Sequence, residues 1–304
     1  MFKRRLILLL LACAISAGVT GTFAGQAQAV QVHSGPVSFA GTPTARTTAS
    51  PARNNGLNEP IYFVHGISLT GKSDCGNWSP AIREYRRSGA TGPLLTVGFY
   101  TGDTHCTTRV GRDGRNTSIA EIGRQLAWTI YNQYSRRNIS VDAVGHSMGG
   151  LIIRSALTNV QRRLRGYPPY LYVEDVATLS TPHAGTSWAR GCRFFRQCAE
   201  MVPGSTFLRS LYSNPQARPG TDWTVIGADD DDVVASKSAI GMLAGHKVVY
   251  KSGQGLEHGT VYKTTSGRYE LRYWNFYNPR WINQRAGAAP VVVARNANFF
   301  WRLW

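Results

Sequence analysis

Acidic side chains are scarce in this chain: 17 Asp and Glu stand against 34 Lys and Arg, giving a formal net charge of +17 at pH 7. Lysine is scarce too, since arginine supplies 28 of the 34 cations. Such a charge would suit nucleic acid, but no recognition motif accompanies it and the N-terminus reads as an export signal, so no nucleic-acid partner is expected. Attraction to anionic lipid or cell-envelope surfaces is the favoured reading, with solubility as the plain alternative. Long apolar runs are missing as well. The longest, Leu6 to Ala17, is too short to span a bilayer. Cysteine is sparse, with no Cys-x-x-Cys and no clustered histidines, which argues against a zinc site. No internal repeat is visible. Length and a 42% hydrophobic content suit one sizeable domain with additional segments.

Lys3-Arg4-Arg5, the apolar run and then Ala27-Gln28-Ala29 have the order of a secretory signal with its cleavage site. A rival reading uses Leu10-Leu11-Ala12-Cys13 as a lipoprotein attachment site, against which the shortness of the run and the good later cleavage site both count. Residues 30–58, rich in Ala, Thr, Ser, Pro and Gly, read as a disordered linker or propeptide. Export leaves Cys75, Cys106, Cys192 and Cys198 in an oxidising setting. Of three possible pairings, Cys75–Cys106 and Cys192–Cys198 are favoured, because each staples one loop at the rim of the site described next.

That site begins with Val141 to Gly150. Val141-Asp142-Ala143-Val144 leads as a strand into Gly145-His146-Ser147-Met148-Gly149, and Leu151 to Leu157 then reads as a helix. Strand, tight turn and helix make a nucleophile elbow, with Ser147 strained at its tip. A serine alone is a poor nucleophile and needs a base, an orienting acid and an oxyanion hole. The strand Trp223 to Gly227 runs into four consecutive aspartates, Asp229 to Asp232. Asp231 is preferred as the acid because Asp-x-Val-Val returns at once into the fold; Asp229 is the runner-up, and the others are expected to face solvent or bind a cation. His258 lies in a Gly-rich loop after the strand Lys247 to Tyr250 and is the expected base, whereas His246 opens that strand, at the wrong end of the sheet. Pro60 to Val64 reads as the first core strand, ending in His65-Gly66. The backbone N–H groups of Ile67 and Met148 are the expected oxyanion donors, each worth about 3 to 4 kcal/mol of transition-state stabilisation. His65 is expected to order the loop.

Taken together, Val64-His65-Gly66-Ile67, the Ser147 elbow, Thr181-Pro182-His183-Ala184-Gly185, Asp231-x-Val-Val and the His258 loop resemble the small secreted bacterial lipases of the α/β-hydrolase family, over residues 59–265. The resemblance implies an α/β-hydrolase fold, a mostly parallel central sheet with helices on both faces. It also implies ester hydrolysis by Ser147, His258 and an aspartate, without a cofactor, and makes His183 a loop organiser. The Asp run departs from the family's usual single acid.

The remaining segments fit such a fold. Ser79-Pro80 is expected to cap and open a short helix to Arg87. Leu94 to Tyr100 reads as a buried strand, and Tyr172 to Leu179 as another. Ser118-Ile119-Ala120-Glu121 has the form of a capping box, with Ile119, Ile122, Leu126 and Ile130 at helical spacing behind it. Ser187 to Pro203 forms either a cap over the cleft or a plain surface loop. Residues 268–304, set apart from a catalytic domain at 59–267, crowd aromatics such as Tyr269, Tyr273, Trp274, Phe276, Tyr277, Trp281, Phe299, Phe300, Trp301 and Trp304 among arginines. They read equally well as an interfacial or polymer-binding surface and as a tail packed on the body. The expectation is a secreted, monomeric lipase or carboxylesterase acting on lipid or other esters at a lipid–water interface. An acyltransferase, a polyester depolymerase and a non-catalytic envelope-binding protein are the alternatives.

Overall fold

In the computed structural model, residues 51–300 are described; the expected signal, most of the expected linker, and Trp301 and Trp304 lie outside them. The strands are β1 (Ile61–Val64), β2 (Leu94–Tyr100), β3 (Thr108–Asp113), β4 (Val141–His146), β5 (Val173–Leu179), β6 (Asp222–Ala228), β7 (His246–Tyr250), β8 (Tyr269–Asn275) and β9 (Asn278–Gly287). The helices are α1 (Ser79–Arg87), α2 (Ile119–Gln133), α3 (Met148–Gln161), α4 (Arg196–Met201), α5 (Thr206–Ser210), α6 (Ser236–Ala239) and α7 (Pro290–Phe300). They form an α/β-hydrolase fold. One nine-stranded sheet runs in the order β3-β2-β1-β4-β5-β6-β7-β8-β9, parallel from β3 through β7 and antiparallel at β8 and β9.

β1 and β2 read as nearly unbroken apolar runs because both faces are covered, and β4 and β5 do so beyond the acids at their starting ends. Along β1, Tyr62 and Val64 point into the core shared with α2 and α3, while Ile61 and Phe63 point into the one shared with α1 and α7. Each such side chain, fully buried, contributes about 1.5 to 3 kcal/mol relative to exposure. In α2, Ile119, Ile122, Leu126 and Ile130 are the buried stripe, and Ser118 caps the helix by accepting from the Glu121 N–H at 3.1 Å. The return half of the box does not form: the Glu121 carboxylate is taken by Arg124. Ser79 is not a cap either. A 3₁₀ turn over Cys75–Trp78, itself capped by Asp74 on the Gly76 N–H, runs straight into α1, so Ser79 is already helical. Chain order reverses between β1 and β4, which opens a crevice at the carboxyl ends of these strands.

The opposite end of the sheet carries a layer of buried acids. Glu59, Asp142, Glu174 and Asp175 are all fully buried, and Arg53 reaches in to pair with Asp175 and to donate to the Glu174 carbonyl. Burial first, and then repulsion from Glu174 and Asp175, pushes Glu59 up to about 9; burial and its acidic neighbours likewise raise Asp142 and Asp175. A carboxyl raised in the folded state stabilises most below its unfolded value of about 4, and that stability is lost as pH rises through the native value. His146, His183 and His246 act in the other sense, since burial lowers them, but they are already neutral above pH 7. Thermal stability is therefore expected to fall between pH 7 and pH 9, by up to about 1.4 kcal/mol per pH unit for each proton released. In Glu59→Gln this slope should flatten. Melting temperatures of both proteins across that range test it, and parallel curves would contradict it.

Candidate active site

Ser147 joins β4 to α3 with φ 54° and ψ −130°, a backbone conformation that a non-glycine residue holds only under constraint from its surroundings. The constraint is close packing. A Cβ on Gly149 would lie 2.1 Å from the Val64 carbonyl oxygen, and one on Gly66 would lie 2.7 Å from the Ser147 Cβ. Glycine at both positions lets β1, its following loop and the elbow meet. The Ser147 hydroxyl then faces His258, with Oγ to Nε2 at 3.0 Å. His258 Nδ1 lies 3.0 Å and 3.1 Å from the two carboxylate oxygens of Asp231. The structure thus brings Ser147, His258 and Asp231 into one hydrogen-bonded line.

The four aspartates separate by what they hold. Asp231 has no exposed side-chain surface, and it accepts the Val233 and Val234 N–H groups as well as His258. Burial raises it, but the His258 hydrogen bond and charge, with the Val234 amide, outweigh burial and keep it below the usual carboxylate range. Asp229 is engaged by the Ser236 hydroxyl. Asp230, expected to face solvent or bind a cation, is partly exposed and accepts the N–H groups of Gly253, Gln254 and Gly255 at 2.7, 2.7 and 2.8 Å. It ties down the loop that carries His258.

Two further residues were not singled out by their sequence context. His146, buried beside the serine, has Nε2 2.9 Å from the His258 carbonyl oxygen and stacks on Tyr262 at 4.1 Å. Burial, then the nearby His258, holds it well below its ordinary range, so the ring is neutral and donates from Nε2. Asp103 accepts the Phe99 and Tyr100 N–H groups at 2.8 Å each and lies 3.0 Å from His65 Nε2. With His65 Nδ1 2.8 Å from the Gly66 carbonyl oxygen and its ring stacked on Phe99, this fixes the loop after β1. Ile67 lines the cleft from that loop. Met148 is the first residue of α3, where a backbone N–H has no partner within the helix and the helix dipole favours negative charge.

His183 is buried and bonded through Nε2 to Thr178 at 3.0 Å, and Arg154 donates to its carbonyl at 2.9 Å. His246 opens β7 beside Asp222, with burial lowering it to about 4. The two disulfides are Cys75–Cys106 and Cys192–Cys198. They flank the cavity beside Ser147: Asp74 and Asn77 line it next to the first, Trp188 and Met201 next to the second. Segment 187–203 forms a 3₁₀ turn and α4, and contributes these last two residues to the wall. The cavity holds about 220 Å³, with Ile67, Pro182, Met201, Val233 and Val234 as its aliphatic lining. Among the described residues, no group of three or more acidic, histidine or cysteine side chains is placed to hold a metal ion, and no helix is long and apolar enough to cross a membrane.

Residues 110–200 match the family model described as "Putative serine esterase", a span that holds Ser147 but neither Asp231 nor His258. No curated protein matches. Among solved structures, the chain is similar to the Bacillus licheniformis lipase BlEst2 in its propeptide form, with 17% identity, a TM-score of 0.47 and coverage of 71% of this chain and 49% of that one. It is also similar to the phospholipase PlaB of Legionella pneumophila, with 14% identity, a TM-score of 0.43 and coverage of 60% and 44%. For lipase B of Aspergillus fumigatus the values are 14%, 0.43, 67% and 49%. The chain spans about half the length of each of these three.

Proposed function

We propose that this protein is an exported serine hydrolase that cleaves carboxylic esters of small acyl groups. The observation that carries the reading is the line from Ser147 Oγ to His258 Nε2 and from His258 Nδ1 to Asp231, each step 3.0 Å at its shortest. His258 takes the serine proton as Oγ attacks the ester carbonyl, and Asp231 holds the imidazole in the tautomer that leaves Nε2 able to accept. The N–H groups of Ile67 and Met148 hold the oxyanion. His258 returns the proton to the departing alcohol, and water cleaves the acyl-enzyme by the same route. The two disulfides and the signal-like N-terminus support export.

The small acyl group follows from space. A cavity of about 220 Å³ is below the roughly 300 to 1,000 Å³ of sites for drug-sized ligands, so a long chain would have to lie outside it. Hydrolysis of p-nitrophenyl esters from acetate to palmitate tests both parts of the reading. We expect an optimum at the short end and a fall of at least about tenfold by laurate, as excluded methylenes cost binding. A fluorophosphonate should add its mass to the peptide containing Ser147. Absence of both turnover and labelling would overturn the hydrolase reading. Turnover that rises toward palmitate would overturn the acyl assignment alone.

A further inference from the structure

The aromatic, arginine-rich residues after 268 divide into two populations. Tyr269, Leu271 and Tyr273 point from β8 into the core beneath α7, together with Phe299. The intervening Arg272 and Trp274 point to the other face, and the loop Phe276-Tyr277, which joins β8 to β9, points to neither. Phe276 is 69% exposed, Tyr277 60%, and Leu243 of the adjoining loop 65%. These three share one groove with Trp274, Lys247 and Pro279.

The patch is stiff. The Phe276 N–H donates to the Gly245 carbonyl at 2.9 Å, the Leu243 N–H donates to the Ser213 carbonyl at 2.9 Å, and the Asn275 side chain accepts both the Tyr277 and Asn278 N–H groups. Its surroundings are cationic. Arg272 on β8, Arg280 on β9 and Lys247 on β7 lie in the half of the sheet nearest the turn, against one acid in the groove, Asp222, whereas Arg268, Arg285 and Glu270 lie toward the far end of the hairpin. Arg272 lies over the Trp281 ring at 5.2 Å, and Lys247 over Trp274 at 5.6 Å. Large apolar side chains thus project from a rigid turn, with aromatic–cation pairs behind them. That is the layout of an interfacial anchor, in which rings enter the acyl boundary while guanidinium groups stay among headgroups.

We propose that the β8–β9 turn and the Leu243 loop dock this protein on an anionic lipid bilayer. Charge complementarity selects an anionic surface, since each cation near such a leaflet raises binding roughly fivefold. The exposed Phe276, Tyr277 and Leu243 select a bilayer over a hydrophilic polyanion. Topology also fixes the orientation. Asn275 pairs with His246, the first residue of β7, so the turn lies at the starting end of the parallel strands. Ser147 and His258 follow the finishing ends of β4 and β7. Strands of five to seven residues separate the two ends by roughly 15 to 25 Å at about 3.3 Å per residue. Docking therefore tethers the protein with its cleft turned away from the membrane that holds it, and does not open the cleft.

The test is co-sedimentation of the full chain with vesicles of ether-linked lipids, which offer no acyl ester and so keep binding separate from the hydrolase reading. Wild type should bind phosphatidylglycerol-containing vesicles at least about tenfold better than pure phosphatidylcholine, and added salt should weaken this. Phe276→Ser combined with Tyr277→Ser and Leu243→Ser should lose at least about tenfold at low salt. Arg272→Gln with Arg280→Gln should lose the preference for anionic vesicles. Both variants should melt with wild type and hydrolyse a soluble ester at the wild-type rate, and vesicles should leave the wild-type rate unchanged. Failure of wild type to bind, equal binding by the variants, or a vesicle-induced rise in rate would overturn the proposal. So would capture by dextran sulfate that matches vesicle binding and ignores the Phe276 and Tyr277 substitutions.

Discussion

Replacing Ser147 with alanine is expected to lower the turnover number for a short-chain p-nitrophenyl ester by roughly four to six powers of ten, with little change in melting temperature. The size follows from what is removed. Without Oγ there is no acyl-enzyme, and the oxyanion donors and binding cleft can accelerate only a direct attack by water, a residual of about 10³ to 10⁴ over the uncatalysed rate. Stability should hold because the contacts that hold the elbow, Gly66 against the residue-147 Cβ and Gly149 against the Val64 carbonyl, are ones that alanine leaves in place. Parallel measurement of turnover and melting settles the matter. A variant that retains more than about a hundredth of the activity would mean that Ser147 is not the nucleophile.

The second large effect distinguishes among the four consecutive aspartates. Asp231→Asn should cost about 10⁴ in turnover, because an amide facing His258 Nδ1 can present N–H and so favour the tautomer with the proton on Nε2, which cannot accept from serine. The carbonyl oxygen of the new side chain can still accept from the Val233 and Val234 amides, so the loss should be catalytic and not structural. Asp229→Asn should fall within about a factor of three of wild type, since Asp229 serves Ser236. Asp230→Asn should be intermediate, as one amide oxygen replaces two carboxylate oxygens on three N–H groups of the His258 loop. Steady-state kinetics on the three variants supply the ranking. If Asp229→Asn were the most damaging, the geometry at His258 would have been misread.

Much of this architecture is legible in the chain because one physical fact repeats: strands covered on both faces must be mostly apolar. Leu94 to Tyr100 declares itself in this way, and so does the strand before Ser147. The elbow is legible because Gly145 and Gly149 are required by contact distances that no other residue meets. Which aspartate faces His258 is marked only by the Asp-x-Val-Val return after Asp231, since four identical neighbours otherwise differ only in where a turn sends them. His146 passes unnoticed for a similar reason. It occupies a position that the motif leaves open, and its partner is a backbone carbonyl 112 residues away. The β8–β9 hairpin hides because its loop is Phe276-Tyr277 and not the Asn-Gly or Gly-Gly that usually marks a two-residue connection. Its alternation of Tyr269, Leu271 and Tyr273 with Glu270, Arg272 and Trp274 is a clear period of two, masked by aromatics on both faces.

Asp230 and Asp231 are adjacent, yet Asp231 grips the imidazole and Asp230 grips the backbone three to five residues before it. Mechanically, base and orienting acid are therefore one part, bolted to the end of β6. Ser147 belongs to another part, built from β4 and α3. The His146 Nε2 bond to the His258 carbonyl oxygen, 2.9 Å, straps the two parts together beside the 3.0 Å step from Oγ to Nε2. The seam between the two parts is the one where the proton crosses.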